Sequence, residues 1–234
     1  MAKVSVFFPL RAGSTRILRK NTRPFRPDGR SLFQHKLEQL MQVAELVDEI
    51  VVSTNDQEVF DQMPADLKGG KLKIVRRPDA LGSSTTKVRD LIDYVPGIVS
   101  GDYIFWVHAT SPFIDDSDYR SALELLQSEV ISGPKDSVMS VNKIQQFIWD
   151  DSVKKIINTD RSVNPWPNTQ DLAPLYEINH AFYINSRKNY VEIGDRIGRD
   201  PVLFCCEGLK KIDVDWPEDF ALAQAMISGE NVNA

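Results

Sequence analysis

The stretch VSVFFPLRAGSTRILRKNTRPF, residues 4–25, decides the reading of this chain. Val4 to Leu10 is an apolar run of strand length, and it empties into a loop that holds Gly13, Ser14, the cations Arg11, Arg16, Arg19 and Lys20, and then Asn21. A buried strand fixes where such a loop begins, and Gly13 and Ser14 let its backbone approach an anion without side-chain obstruction. The stretch therefore reads as a polyphosphate-binding loop, with an ordinary solvated basic loop as the alternative. Its spacing matches neither the G-x-x-x-x-G-K-[ST] phosphate loop nor the G-x-G-x-x-G dinucleotide fingerprint.

Outward from this loop, short apolar runs alternate with helix-length amphipathic stretches. Strands are expected at Val4 to Leu10, Glu49 to Thr54, Leu72 to Val75, Asp102 to Val107, Ser137 to Val141, His180 to Ile184 and Val202 to Cys205. Leu32, Phe33, Lys36, Leu37, Leu40, Met41 and Ala44 repeat at helical spacing, which predicts a helix over Ser31 to Ala44. Further helices are expected at Thr86 to Tyr94, Ser117 to Glu129 and Glu218 to Ile227. Such β-then-α order predicts an α/β fold, one mostly parallel sheet with helices on both faces and ligands at the carboxyl ends of its strands. Residues 1–228 read as one domain and 229–234 as a polar tail. Asn142 to Asn179, with Trp149, Trp166, Pro165, Pro167 and Pro174, is too long and irregular for a simple crossover and reads first as a surface excursion.

Composition narrows the function classes. A chain of 234 residues, 42% hydrophobic and 26% charged, can bury a substantial core. Its formal charge of −5 argues against a general nucleic-acid or membrane-surface partner, so the basic N-terminal loop suits one small polyanion. The first apolar run stops at Arg11, too short for a signal peptide or membrane span, and a cytoplasmic location is the expectation. Cys205 and Cys206 are neighbours whose side chains point to opposite faces of a strand; they read as reduced, core or near-core residues. His35, His108 and His180 show no zinc-type spacing.

Two further motifs carry chemistry. In KKIDVDWPEDF, Asp213 and Asp215 lie two apart, so an extended backbone projects both carboxylates to one side, where they can share a hard cation such as Mg²⁺. The alternative is that the pair caps the helix beginning after Trp216. HATSPF follows the strand DYIFWV and places Thr110 and Ser111 at a strand end; alternatively Ser111 caps a helix, with Ser117 as a second cap candidate.

Taken in order, Arg11, Gly13, Ser14, Arg16, Lys20, Asn21, Arg23, Pro24 and Phe25 resemble the N-terminal signature of the acylneuraminate cytidylyltransferases, the CMP-sialic acid synthetases and their relatives. The resemblance continues through STNDQEVF (53–60), RRPDALGSSTT (76–86), HATSPF (108–113), EINHAFYIN (177–185) and DVDWPEDFALA (213–223), covering nearly the whole chain. It implies a nucleotidyltransferase, Rossmann-like fold in which Leu10, Arg11, Ala12, Gly13, Ser14, Arg16, Lys20 and Asn21 hold the triphosphate and base of CTP. Arg77, Ser83, Ser84 and Thr85 would complete the nucleotide site, and Ser84 stands where relatives usually carry aspartate. Asp213 and Asp215 would hold Mg²⁺, and with Arg11 and Lys20 would form the catalytic set. The sugar acid would meet His108, Thr110, Ser111, Asn179 and His180. Residues 142–179 would be a dimerisation arm bordering the sugar pocket, making the protein a homodimer.

This chain departs from the family pattern at three sugar-side positions. His108 replaces the usual glutamine and is open to being charged near neutral pH. Glu177 and His180 replace the arginine and glycine of R-E-N-G-A-I-Y-I, and His180 reads equally as a packed residue at a strand start. Lys143 and Arg161 are the candidates for the missing cation. The resemblance implies a CTP-dependent transfer to a nine-carbon sugar acid with release of pyrophosphate. Two rivals stand beside it: an eight-carbon 3-deoxy-octulosonate enzyme, whose loop Gly-Ser-Thr-Arg (13–16) also resembles, and a nucleotide-binding module without catalysis.

Overall fold

Side-chain alternation along strand β1 (Val4–Leu10) sets the architecture: Val4, Val6, Phe8 and Leu10 face one apolar layer and Phe7 faces the other, all of them buried. A strand buried on both faces sits inside a sheet with helices on either side. The computed structural model describes residues 2–64, 70–83 and 85–229, so Ser84 and residues 230–234 of the expected tail lie outside the described residues.

The other strands are β2 (Glu49–Thr54), β3 (Leu72–Arg76), β4 (Tyr103–Val107), β5 (Ser137–Ile144), β6 (Trp149–Asp150), β7 (Lys155–Ile156), β8 (Leu175–Ser186) and β9 (Pro201–Cys206). Seven of them form one sheet in the order β3-β2-β1-β4-β8-β5-β9. All run parallel except β8, which pairs antiparallel with β4 and β5. The helices are α1 (Leu32–Met41), α2 (Gln57–Gln62), α3 (Val88–Tyr94), α4 (Asp116–Leu125), α5 (Arg187–Glu192) and α6 (Pro217–Ser228). Leu37 of α1, Val59 of α2, Ala122 of α4 and Phe220 of α6 pack on one face of the sheet; Ile92 of α3 and Tyr190 of α5 pack on the other. The expected α/β fold is therefore present.

Local chemistry explains several boundaries. Ser31 caps α1 with Gln34 in a reciprocal capping box. Asp115, not Ser111 or Ser117, caps α4, because its carboxylate accepts from the backbone of Ser117 and Asp118. The helix expected over Ser117 to Glu129 is α4 followed by a π-helical turn, Leu126–Ile131. Residues 142–179 are more regular than their composition suggests. Asn142, Lys143 and Ile144 extend β5 against Glu177, Tyr176 and Leu175 of β8, and β6 and β7 form a small antiparallel ribbon beyond. The cysteines are free; Cys206 is buried, whereas Cys205 is exposed, because β9 is the last strand of the sheet. No helix among the described residues is long and apolar enough to cross a membrane.

Candidate active site

The carboxyl ends of β1 to β4 lie along one edge of the sheet, and the quoted motifs leave from that edge. Gly13 in the loop after β1 has φ +71°, a conformation that costs a side-chain-bearing residue about 1 kcal/mol or more. The residue after β2 steadies this loop: Ala12 N–H donates to Oδ1 of Asn55 at 3.0 Å. Gly82 makes room for that amide, since a Cβ there would sit 2.3 Å from Asn55 Nδ2. Asn55 and Gly82 escaped the sequence reading of site residues, although both fall within motifs quoted there.

Arg77 follows β3 and is buried, donating to the hydroxyl and carbonyl oxygens of Ser53. Burial pulls its pKa down to about 10, with a further contribution from the charge of Arg11. The two arginines line a cavity of about 260 Å³ together with Leu81, Ser83, Thr86 and Leu91. Neither arginine has a carboxylate partner among the described residues, so this cavity carries uncompensated positive charge. Ser83 and Thr85 are exposed at its rim, their hydroxyls 2.9 Å apart. Ser84, expected beside them, lies outside the described residues.

The basic loop is joined to the carboxylate pair across the length of the chain. Lys20 Nζ donates to the carbonyl of Val214 at 2.9 Å and to Asp215 at 3.2 Å, and Arg16 reaches the same Asp215 oxygen at 3.1 Å. Arg16 also lies over the Trp216 ring, and Arg23 over that of Phe220 at the start of α6. Arg19 does not join this group; it turns to Glu58 of α2, 2.8 Å away. Leu10 is buried and Asn21 accepts Phe33 N–H on its carbonyl, so both shape the loop through the backbone.

Asp213 and Asp215 do not cap α6. That task falls to Asp219, whose carboxylate accepts from the backbone N–H groups of Asp215 and Trp216. Asp213 is mostly buried, and its Oδ1 has no hydrogen-bond partner among the described residues. Burial raises its pKa, Thr110 offsets part of that by a hydrogen bond, and the charge of Asp215 adds to it. An orphaned buried carboxylate oxygen beside a second carboxylate is a donor set that fits a hard cation. Among the described residues no third His, Cys, Asp or Glu joins them, which leaves room for ligands from a substrate.

The loop after β4 is bound to this segment, since Val214 N–H donates to the carbonyl of Thr110 at 2.7 Å. Ser111 is buried, and its carbonyl is held by Lys36 of α1, which supports the loop. Asn179 is also turned inward: its amide donates to Asn142 and accepts Ala181 N–H, tying β5 to β8 beside an irregularity in their pairing. Both were expected at the sugar acid; the amide of Asn179 is engaged within the scaffold.

His108 and His180 come together with a residue missed in the sequence reading, Arg196. The guanidinium lies 5.1 Å from the Trp106 ring centre and 4.2 Å from that of Tyr183. Its Nη1 donates to Nε2 of His108 at 3.4 Å and its Nη2 to Nδ1 of His180 at 3.3 Å. Burial, and then the charge of Arg196, push the pKa of His108 well below its usual value. The same causes lower that of His180, against a weaker pull upward from Asp215. For His108, left open to being charged near neutral pH, burial and Arg196 both favour the neutral imidazole. The expected substitutes for the family arginine lie elsewhere: Lys143 is exposed on β5, and Arg161 stacks on Trp166 in the arm.

A mostly parallel sheet with a cation-bearing loop and a carboxylate pair at its carboxyl edge has the Rossmann-like architecture of nucleotidyltransferases. The family profile described as cytidylyltransferase matches residues 6–226, and the chain belongs to that family. Its fold is similar to that of a CMP:2-keto-3-deoxy-manno-octonic acid synthetase solved with CTP, at 19% identity and TM-score 0.65, over 97% of this chain and 98% of the other. A 4-diphosphocytidyl-2C-methyl-D-erythritol synthase from Anaerococcus prevotii is similar at 13% identity and TM-score 0.64, with the same coverage.

Proposed function

We propose that this cytidylyltransferase joins CTP to a 2-keto sugar acid, forming the CMP-sugar and pyrophosphate, and that the acid is a nine-carbon, sialic-acid-like one. The observation that carries the reading is the contact of Asp215 with Lys20 and Arg16, which sets the basic loop against a carboxylate pair whose other member, Asp213, has an unpaired buried oxygen. The anomeric hydroxyl would attack the α-phosphorus in line, losing its proton to solvent and forming the new P–O bond as the bond to the bridging oxygen breaks and pyrophosphate leaves. Arg11, Arg16 and Lys20 would offset the negative charge on the phosphates, and Arg77 with Ser83 and Thr86 would hold the nucleoside. Asp213 and Asp215 would hold Mg²⁺, which when bound supplies charge neutralisation at the phosphate oxygens.

The nine-carbon acid is favoured by Lys20-Asn21 and the Arg23-Pro24-Phe25 that follows, which resemble the acylneuraminate branch. The similarity to an octonic acid synthetase supports a second reading, an eight-carbon acid in the same site. A homodimer is part of the proposal: Trp149, Val153, Val163 and Trp166 of the arm are all more than half exposed, an apolar surface that a second copy would cover. Replacing Asp213 or Asp215 with asparagine should abolish pyrophosphate release while leaving the circular dichroism spectrum unchanged. Near-normal turnover in either variant would remove the metal role from the scheme.

A further inference from the structure

Arg196 is a half-buried cation for which no carboxylate partner is found among the described residues, and it is held with unusual care. Its guanidinium lies over the neighbouring rings of Trp106 and Tyr183, which are paired across β4 and β8. Two of its five N–H donors reach His108 and His180, and the other three make no hydrogen bond among the described residues. His180 adopts φ +60°, at the position where the family pattern has glycine. A side chain kept in that conformation signals that the imidazole is needed where it is. The Tyr183 hydroxyl, 2.6 Å from His180 Nδ1, holds it there.

We propose that Arg196, flanked by His108 and His180, is the specificity-determining residue that receives the carboxylate of the sugar acid. This rests on the sugar-acid reading above. A planar fork matches a carboxylate with two parallel hydrogen bonds, and neutral imidazoles add polar contacts without adding charge, so the site suits a monoanion. The triphosphate has separate cations in Arg11, Arg16 and Lys20. The family's usual arginine, replaced by Glu177 on β8, is thereby relocated to the loop after α5.

The test is equilibrium binding, followed by NMR, of sialic acid, the eight-carbon acid and the methyl ester of each, to wild type, Arg196→Gln and Arg196→Lys. Wild type should bind one of the acids at least ~10-fold more tightly than its ester, and Arg196→Gln should bind acid and ester alike, with thermal unfolding unchanged. Arg196→Lys should recover only part of the preference. Persistent discrimination in Arg196→Gln, or no preference for either acid in wild type, overturns the proposal. Pyrophosphate release is scored separately: turnover with discrimination unaffected by Arg196→Gln sinks the role of Arg196 alone, while acid-selective binding without turnover sinks the transferase reading alone.

Discussion

Lys36 on α1 donates its ammonium to the carbonyl oxygen of Ser111 at 2.8 Å, fastening the loop after β4 from beneath. A second bond runs to the carbonyl of Ile114 at 2.7 Å, and neighbouring His35 and Gln39 both contact the carbonyl of Pro112 at 2.9 Å. The loop that carries Thr110 is therefore set by α1 before any substrate arrives. Lys36→Met keeps the bulk but leaves two buried carbonyls unpaired, and urea unfolding should show a loss of about 2–4 kcal/mol.

The same pair predicts a pH dependence. Burial lowers the pKa of Lys36 to about 7, with Asp118 and Asp115 opposing. A folded pKa below the unfolded value of about 10.4 means that the unfolded chain binds more protons between these limits. The lysine's contribution is therefore least favourable below pH 7 and improves as pH rises toward 10. The stability difference between wild type and Lys36→Met should shift toward wild type over that window, by up to ~1.4 kcal/mol per pH unit. A difference flat with pH would show that Lys36 stays charged in the fold.

Gly82 and Asn55 give a prediction for the nucleotide side. Gly82→Ala forces Asn55 off the Ala12 N–H, because the new methyl would overlap its amide. The KM for CTP should rise about tenfold, the equivalent of one hydrogen bond to the loop, while the KM for the sugar acid changes little. A comparable rise for both substrates would mean that the loop does not serve CTP specifically.

At His180 the strain is measurable apart from the chemistry. Glycine and alanine both remove the imidazole, but only glycine accepts φ +60° without cost. His180→Gly should unfold at higher urea than His180→Ala by about 1 kcal/mol. Equal stability would remove the argument that the conformation is imposed.

The arm carries the oligomer prediction. Trp166 packs edge-on against Phe147 and under Arg161, which holds it at the surface. Sedimentation should give a dimer for wild type at micromolar concentration and a monomer for the Trp149→Glu, Trp166→Glu double variant. A monomeric wild type would contradict the dimer.

Much of the fold was legible because apolar periodicity and caps are local signals. The bounds of β1 and β2 match the expectation, and α1 begins within one residue of the expected Ser31. The full length of β8 was not legible, since Tyr176, Glu177 and Ile178 are exposed where it leaves the main sheet body, and their polarity pattern resembles a loop. Six-residue helices such as α2 and α5 are too short to display a period. In the site, the signature residues were picked out by the family resemblance, but the inward turn of Asn179 depends on Asn142 across a strand pair. Arg196 gave one faint signal, a cation bracketed by Gly194 and Gly198, and its meeting with His108 is made only by tertiary structure.

The most direct test of the central claim is pyrophosphate release from CTP and Mg²⁺ in the presence of sialic acid, its deaminated form, legionaminic acid, pseudaminic acid or the eight-carbon acid. The account predicts release with a nine-carbon acid and loss of it in Asp215→Asn; release with the eight-carbon acid alone, or with none of the panel despite intact CTP binding, would contradict it.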